Sequence, residues 1–371
     1  MADNQFYTLP VKSVVKETPE AVTVSFEIPE EHKQSFSYQP GQYLTLKFKL
    51  KGLEVRRAYS MCSSPIENEL AVTVKQVDGG LVSTHINQNL KAGDMVESML
   101  PEGRFLVESN PETNKTYYLI GAGSGITPLL SIIKTVLEKE PKSSIFLLYG
   151  NRNEDSIIFK QQLKQLEERY SGQLIVEHIL SQPKKEKGKG LSGIFSKGKT
   201  NWQGKVGRIG ASTINEFLTK NPKRSQQAEY YLCGPGGMIE TAKRTLENKG
   251  IAKENIHVEY FTAADSNIAT KTTGTEISVA GAKAKVHLNG DVVEVQIPEG
   301  KTILDALIKE GYDPPYSCTS GACSTCLAKT LSGSVKMDVY YAIDDEEVAE
   351  GFILTCQAHP TTSEIEVTFE V

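Results

Sequence analysis

Four cysteines carry the most specific chemistry in this chain. Cys318, Cys323 and Cys326 form a C-x4-C-x2-C run, and Cys356 follows after 29 intervening residues. Three thiolates on one tight loop with a distant fourth is the ligand spacing of a four-thiolate [2Fe–2S] cluster. Gly321 and the small residues Thr319, Ser320, Ala322, Ser324 and Thr325 let the loop bend around such a group. They also leave backbone N–H groups to point at the sulfurs and tune the potential. A structural zinc site takes four cysteines too, but usually as two C-x2–4-C pairs, which this spacing is not.

Two further stretches could hold a dinucleotide. In Arg57-Ala58-Tyr59-Ser60 a guanidinium can grip a pyrophosphate, an aromatic can stack on a flat ring and a hydroxyl can bond a ring nitrogen. Gly79-Gly80-Leu-Val-Ser83-Thr84 then runs glycines into a helix start, where free N–H groups suit a phosphate. Further on, the apolar run Thr116–Ile120 leads into Gly121-Ala-Gly123-Ser-Gly125-Ile-Thr127-Pro128 and a helix over Leu129–Glu140. Strand, glycine turn and helix let a pyrophosphate approach the backbone at a helix N-terminus, although the spacing is not G-x-G-x-x-G. Cys233-Gly234-Pro235 closes another strand, Tyr231 to Cys233; alone, such a cysteine reads as a small core residue.

The elements around these residues fall into blocks. Residues 1–112 alternate in short runs such as Ala21–Ile28, Tyr43–Leu50 and Leu70–Val77, with turns at Pro40-Gly41 and Asp78-Gly79-Gly80, the pattern of an antiparallel barrel or sandwich. One helical piece is expected at Ser83–Leu90. In 113–261, strands at Ser144–Tyr149, Leu174–Leu180 and Glu229–Leu232 alternate with helices near Ile157–Tyr170, Ile214–Lys220 and Met238–Lys249, which implies a parallel α/β sheet. Residues 262–275 are small and polar and read as a flexible tether. In 276–371, strands Ala284–Leu288 and Val292–Ile297 join at Asn289-Gly290, a helix starts at Thr302, and a strand Glu364–Phe369 follows the cysteines.

Charge divides along the same lines. From Glu276 onward there are 6 basic and 16 acidic residues, a net of −10, against 35 and 30, a net of +5, in the rest. An acidic module on a basic body suits electrostatic docking, and the lysines of the Pro183–Lys205 insertion (Lys184, Lys185, Lys187, Lys189) are one candidate dock. Nothing reads as nucleic-acid binding. The chain has no apolar run long enough to span a membrane, and MADNQFYTLPVK lacks signal-peptide character. Four of the six cysteines in a metal pattern fit a reducing compartment, so a cytoplasmic protein is expected.

With R-x-Y-S, a Gly-rich phosphate segment, G-x-G-x-G-x-x-P and C-G-P-x-x-M in this order, the chain resembles the ferredoxin–NADP reductase superfamily. Its last part resembles a plant-type β-grasp ferredoxin. Together they are similar to the reductase components of phenylacetyl-CoA epoxidase and related oxygenases, a likeness strengthened by Ser334–Ala342. The resemblance implies a Greek-key β-barrel for FAD, an α/β parallel sheet for NAD(P) and a β-grasp [2Fe–2S] domain. By it, Arg57, Ala58, Tyr59 and Ser60 hold FAD, Val74 and Lys75 flank the flavin, and Ser83 and Thr84 hold phosphate. Gly121, Gly123, Gly125, Thr127 and Pro128 serve the nicotinamide cofactor, while Cys233, Gly234 and Pro235 lie by its reactive ring. Ser60 and Cys233 set the hydride site, and Phe261 or Tyr260 covers the flavin.

For the choice of nicotinamide cofactor, Arg152 ends one strand with no adjacent carboxylate, and Ser181 ends the next near Lys184 and Lys185. These charges favour NADPH, with NADH as the alternative. The implied function is electron flow from NAD(P)H through FAD and [2Fe–2S] to a partner oxygenase, di-iron or ring-hydroxylating. Alternatives are a general ferredoxin or flavodoxin reductase, a non-catalytic electron-transfer subunit like that of dihydroorotate dehydrogenase, and a redox-sensing cluster protein. His359 and Cys62 read as structural.

Overall fold

The structure, a computed structural model, describes residues 5–186, 199–261, 279 and 281–371. The tether expected at 262–275, Lys187 and Lys189 lie outside them. The first unit is a six-stranded antiparallel sheet in the order β4-β3-β6-β1-β2-β5. Its strands are β1 (Tyr7–Thr18), β2 (Ala21–Phe26), β3 (Tyr43–Leu50), β4 (Leu53–Ser60), β5 (Leu70–Lys75) and β6 (Met95–Ser98). A bridge from Met61 to Val72 links the end of β4 to β5, the other edge strand. β1 carries Pro10, a poor strand signal. Yet β1 changes partner there, pairing Tyr7–Pro10 with β6 and Val11–Thr18 with β2. Helix α1 (Leu81–Gln88) starts two residues before the expected Ser83, because the Ser83 hydroxyl accepts from Val77 N, at 3.1 Å, instead of opening the helix as its cap.

The second unit runs β7 (Lys115–Ala122), α2 (Ile126–Lys139), β8 (Ser144–Asn151), α3 (Lys160–Arg169) and β9 (Leu174–Leu180). It continues with β10 (Lys185–Glu186), β11 (Lys199–Thr200), β12 (Lys205–Val206), α4 (Ala211–Lys220), β13 (Gln227–Gly234), α5 (Gly236–Glu247) and β14 (Ile256–Tyr260). The sheet is parallel, in the order β12-β9-β8-β7-β13-β14. Strand order therefore reverses between β7 and β13, and in open α/β sheets ligands bind outside the strand ends at that reversal. α3 begins later than expected because Phe159, at φ +60°, takes the left-handed conformation just ahead of it.

Helix α2 is buried on almost every side; Ile126, Leu129, Leu130, Ile132 and Ile133 have no exposure. A helix apolar all round must be covered on two faces. One face meets its own sheet and the other meets the first unit, where Ser131 Oγ donates to Ser63 O (2.6 Å) and Thr135 Oγ1 lies 2.7 Å from Ser64 Oγ. The two units are thereby set against each other.

The last unit is a five-stranded mixed sheet, ordered β16-β15-β21-β17-β19, from β15 (Ala282–Leu288), β16 (Asp291–Ile297), β17 (Leu327–Ser332), β19 (Phe352–Leu354) and β21 (Glu364–Thr368). β18 (Val335–Met337) and β20 (Ala358–Pro360) form a separate pair. The expected hairpin at Asn289-Gly290 is present, with φ of +57° and +84°. Helix α6 (Ile303–Lys309) opens with a capping box in which Thr302 and Asp305 satisfy each other's backbone N–H. Helix α7 (Asp345–Ala349) is capped likewise by Asp344 and Glu347. Among the described residues no helix is long and apolar enough to cross a membrane.

The glycine turn after β7 is held by one close approach. A Cβ on Gly125 would sit 2.1 Å from the carbonyl oxygen of Cys233, at the end of β13. Gly125→Ala should therefore push the turn off β13. Overpacking of this kind costs about 1–3 kcal/mol, which scanning calorimetry should register as a fall of roughly 2–10 °C in the transition of this unit.

Candidate active site

Two cavities open where these strands end. The larger, 740 Å³, is bordered by Ala122, Gly150, Ser181 and Gly234 at the ends of β7, β8, β9 and β13, and by Arg152 and Arg208. Among the described residues no carboxylate borders it. The smaller, 390 Å³, lies between β4, the end of β14 and the cysteine loop, with Arg57, Tyr59, Ser60, Glu259, Cys318 and Cys323 in its wall. Lys75, Ser124 and Phe261 border both cavities.

The structure sorts the expected residues. Arg57, Ala58, Tyr59, Ser60, Lys75, Ser83 and Thr127 face the smaller cavity. Thr127 is buried, its hydroxyl donating to Ser124 O at 3.1 Å. Ser83 reaches the wall, but its hydroxyl is engaged by Val77 N. Val74 is fully buried in the apolar core of the first unit, and Thr84 borders neither cavity. Gly123, Gly234, Pro235, Arg152 and Ser181 border the larger cavity. Gly121 and Gly125 stand behind the wall, where a Cβ would meet Leu129 at 2.6 Å and Cys233 at 2.1 Å. Pro128 is buried in the first turn of α2.

Cys233 has no exposure and borders neither cavity; burial, and behind it the Glu259 carboxyl, push its thiol well above the ordinary range. Cys62 is likewise inert, pushed up to about 12 by burial. His359 bonds Asp338 Oδ2 (3.0 Å) and Lys301 O (3.1 Å), a structural position. Of the insertion lysines, Lys184 pairs with Asp155 at 2.5 Å within its own unit rather than with the acidic module.

Glu259 carries no motif and was not expected at the site. Ser60 Oγ donates to its Oε2 at 2.9 Å, and burial raises its carboxyl to about 8. Alternation along a strand was the available signal: Glu259 stands two residues before Phe261 and so shares its face. Arg208 and Tyr43 also line the cavities, brought there from stretches with no motif.

The four cysteines are all free and fall into two pairs. The Cys318 and Cys323 thiols act directly on one another's ionisation, as do those of Cys326 and Cys356. Backbone N–H groups of Ser320 (3.4 Å) and Cys323 (3.3 Å) point at Cys318 Sγ, and that of Cys318 at Cys323 Sγ (3.5 Å). Among the described residues no three His, Cys, Asp or Glu side chains converge on a single metal-ion position. Two thiol pairs fit a binuclear cluster, one pair for each iron, and do not fit a mononuclear zinc site.

Three family models cover this architecture: an oxidoreductase FAD-binding domain over residues 8–106, an oxidoreductase NAD-binding domain over 119–244 and a 2Fe-2S iron-sulfur cluster binding domain over 286–361. A component of the 1,2-phenylacetyl-CoA epoxidase of Escherichia coli is 35% identical over 98% of both chains. The chain belongs to the ferredoxin–NADP reductase superfamily. It is an NAD(P)H-dependent oxidoreductase with FAD, NAD(P)H and [2Fe–2S] modules. The ferredoxin reductase component of the 3-ketosteroid-9-alpha-monooxygenase of Rhodococcus rhodochrous is 32% identical, over 97% of this chain and 96% of that one. A phthalate dioxygenase reductase structure shares the fold, with a TM-score of 0.59 at 21% identity over 99% of this chain and 98% of that one.

With its carboxyl raised from 4.5 to about 8, Glu259 contributes stability that is complete below pH 4.5 and lost as the pH climbs to 8. The same titration should shape the chemistry beside Ser60. NAD(P)H-driven flavin reduction, followed by stopped flow, should inflect near the pH of 8 at which this carboxyl ionises, and Glu259→Gln should remove that inflection. Its survival in the variant would assign the titration to another group.

Proposed function

We propose that this chain is the reductase component of an oxygenase system, taking hydride from NADPH and delivering single electrons to a di-iron or ring-hydroxylating oxygenase such as a phenylacetyl-CoA epoxidase. The observation that carries the reading is the shared wall. One cavity meets the nucleotide cavity at Lys75, Ser124 and Phe261, and meets the cysteine loop at Cys318 and Cys323. The names of the two curated relatives, both oxygenase components, support the class of acceptor. FAD held there would supply the conversion from a two-electron hydride to the single electrons that a [2Fe–2S] cluster carries.

The residues divide the work. Arg57 takes the FAD pyrophosphate, with Ala58 beside it, and Tyr59 packs on the flavin while Ser60 and Glu259 present a hydroxyl and a carboxyl at the hydride site. Lys75 and Thr127 line that site, and the first turn of α1 faces phosphate through Ser83, with Thr84 set back from the cavity. Gly121, Gly123, Gly125 and Pro128 shape the turn that receives the nicotinamide dinucleotide, and Gly234 and Pro235 the opposite wall. Cys233 acts by bulk from behind that wall rather than as acid or nucleophile. Phe261 occupies the flavin face until the nicotinamide displaces it. Cys318, Cys323, Cys326 and Cys356 are the cluster ligands. The first sheet corresponds to a Greek-key barrel over 1–112, the second to a dinucleotide unit over 113–261, and the last, beyond a tether at 262–275, to a β-grasp ferredoxin over 276–371. The free cysteines suit a cytoplasmic setting.

Two measurements test this. Cys356→Ser in the full chain should strip the iron and abolish cytochrome c and oxygenase reduction while NADPH-driven ferricyanide reduction persists. Oxygenase turnover at the wild-type rate without the cluster would remove its role as exit. Arg152, Ser181 and Arg208 around the larger cavity, with no carboxylate for a ribose 2′-hydroxyl among the described residues, predict a kcat/KM for NADPH at least about tenfold above that for NADH. Equal values, or a preference for NADH, would overturn that choice.

A further inference from the structure

The cysteine loop is gripped at both ends by the first unit. Ahead of it, Arg56 Nη2 donates to Asp313 Oδ1 at 2.6 Å, and the guanidinium lies 4.2 Å from the centre of the Tyr316 ring. Those residues stand five and two positions before Cys318. Within the loop, the Tyr43 hydroxyl lies 2.8 Å from Thr325 Oγ1, between Cys323 and Cys326. Arg104 pairs with Glu347 at the periphery. Both main contacts arise from β3 and β4. Successive residues of β4 part company, Arg57 lining the smaller cavity and Arg56 turning to the cluster unit.

These contacts are built rather than incidental. The Arg56 side chain is 4% exposed, held from behind by Glu54 at 2.8 Å and faced by Phe6 at 4.8 Å. Exposed ion pairs contribute little, whereas a buried guanidinium stacked on an aromatic and bonded by two carboxylates fixes geometry. Asp313, by contrast, is 62% exposed, so water can replace the arginine at its carboxylate when the units part. Tyr43 is fixed in turn: its backbone exchanges hydrogen bonds with Glu102 (2.8 and 3.0 Å), and a Cβ on Gly103, at φ +124°, would lie 3.0 Å from its ring.

Resting on the flavin and cluster sites assigned above, we propose that Arg56 and Tyr43 are positioning residues for flavin-to-cluster electron transfer, a two-point clasp holding the cysteine loop against the flavin cavity. The clasp sets how often the loop is seated, not the hydride step, which lies on the far side of the same cavity. Because Asp313 is exposed, the seating weakens as ionic strength rises.

The test uses the full-length holoprotein and the variants Arg56→Gln, Asp313→Asn and both together. Stopped flow with NADPH resolves flavin reduction from the later bleaching of the cluster. The first phase should keep its rate, and the second should slow on the order of tenfold, as loss of precise seating does. The double variant should be about as slow as Arg56→Gln alone, which removes the Asp313 pair together with the stacking on Tyr316. Small-angle scattering should show a larger radius of gyration in each variant at low salt, matching the wild type at high salt. Tyr43→Phe, which removes one oxygen, should slow the second phase in the same sense. A second phase at the wild-type rate, with unchanged scattering, in Arg56→Gln and Asp313→Asn would overturn the clasp. The wild-type trace must show both phases if the cofactor assignments hold, which separates a failure of those assignments from a failure of the clasp.

Discussion

Three residues, Lys75, Ser124 and Phe261, border both cavities, and the rest of the architecture is a means of bringing them together. They come from β5, from the glycine turn after β7, and from the residue after β14, elements distant in sequence. Reactants that must touch need cavities that meet at a thin wall. The covered faces of α2 supply the rigidity this demands. One side belongs to the parallel sheet and the other to the first unit, and hydroxyl bonds from Ser131 and Thr135 fix the angle between them.

The position of that wall follows from topology. Reversal of strand order between β7 and β13 leaves a crevice at their carboxyl ends. There the chain uses absence of side chain as a structural element: Gly125 lets the turn press on the carbonyl of Cys233, and Gly121 makes room for Leu129. The cysteine is thereby removed from the cavity surface. Its thiol, kept protonated by burial, contributes bulk and neutrality behind the wall, while titratable chemistry falls to Glu259.

Much of this was legible in the sequence because it is local. The C-x4-C-x2-C run, the glycine turn, the Asn289-Gly290 hairpin and the Thr302 cap each act through neighbours a few residues away, and the structure has each in place. What escaped is long-range. Glu259 acquires its character from Ser60, 199 residues earlier, and Arg56 from Asp313, 257 residues later. No pattern in a single window records such partners. The charge asymmetry did point to docking, but the residues that dock are arginines of the first unit, with Lys184 engaged elsewhere. Arg56 stands beside the motif residue Arg57, and nothing local distinguishes the two guanidinium groups.

The two thiol pairs are not equivalent in their surroundings. Cys318 and Cys323 border the smaller cavity and receive backbone N–H groups at their sulfurs. Cys326 is 1% exposed and sits, with Cys356, in the apolar core of the last unit. The first pair thus has a cradle of backbone donors, while the second has the Gln357 side-chain amide 3.6 Å from Cys356 Sγ. The first unit holds the chain on both sides of that pair, at Asp313 and Tyr316 ahead of it and at Thr325 after it. The half of the loop that faces the smaller cavity is therefore also the half enclosed by contacts from β3 and β4.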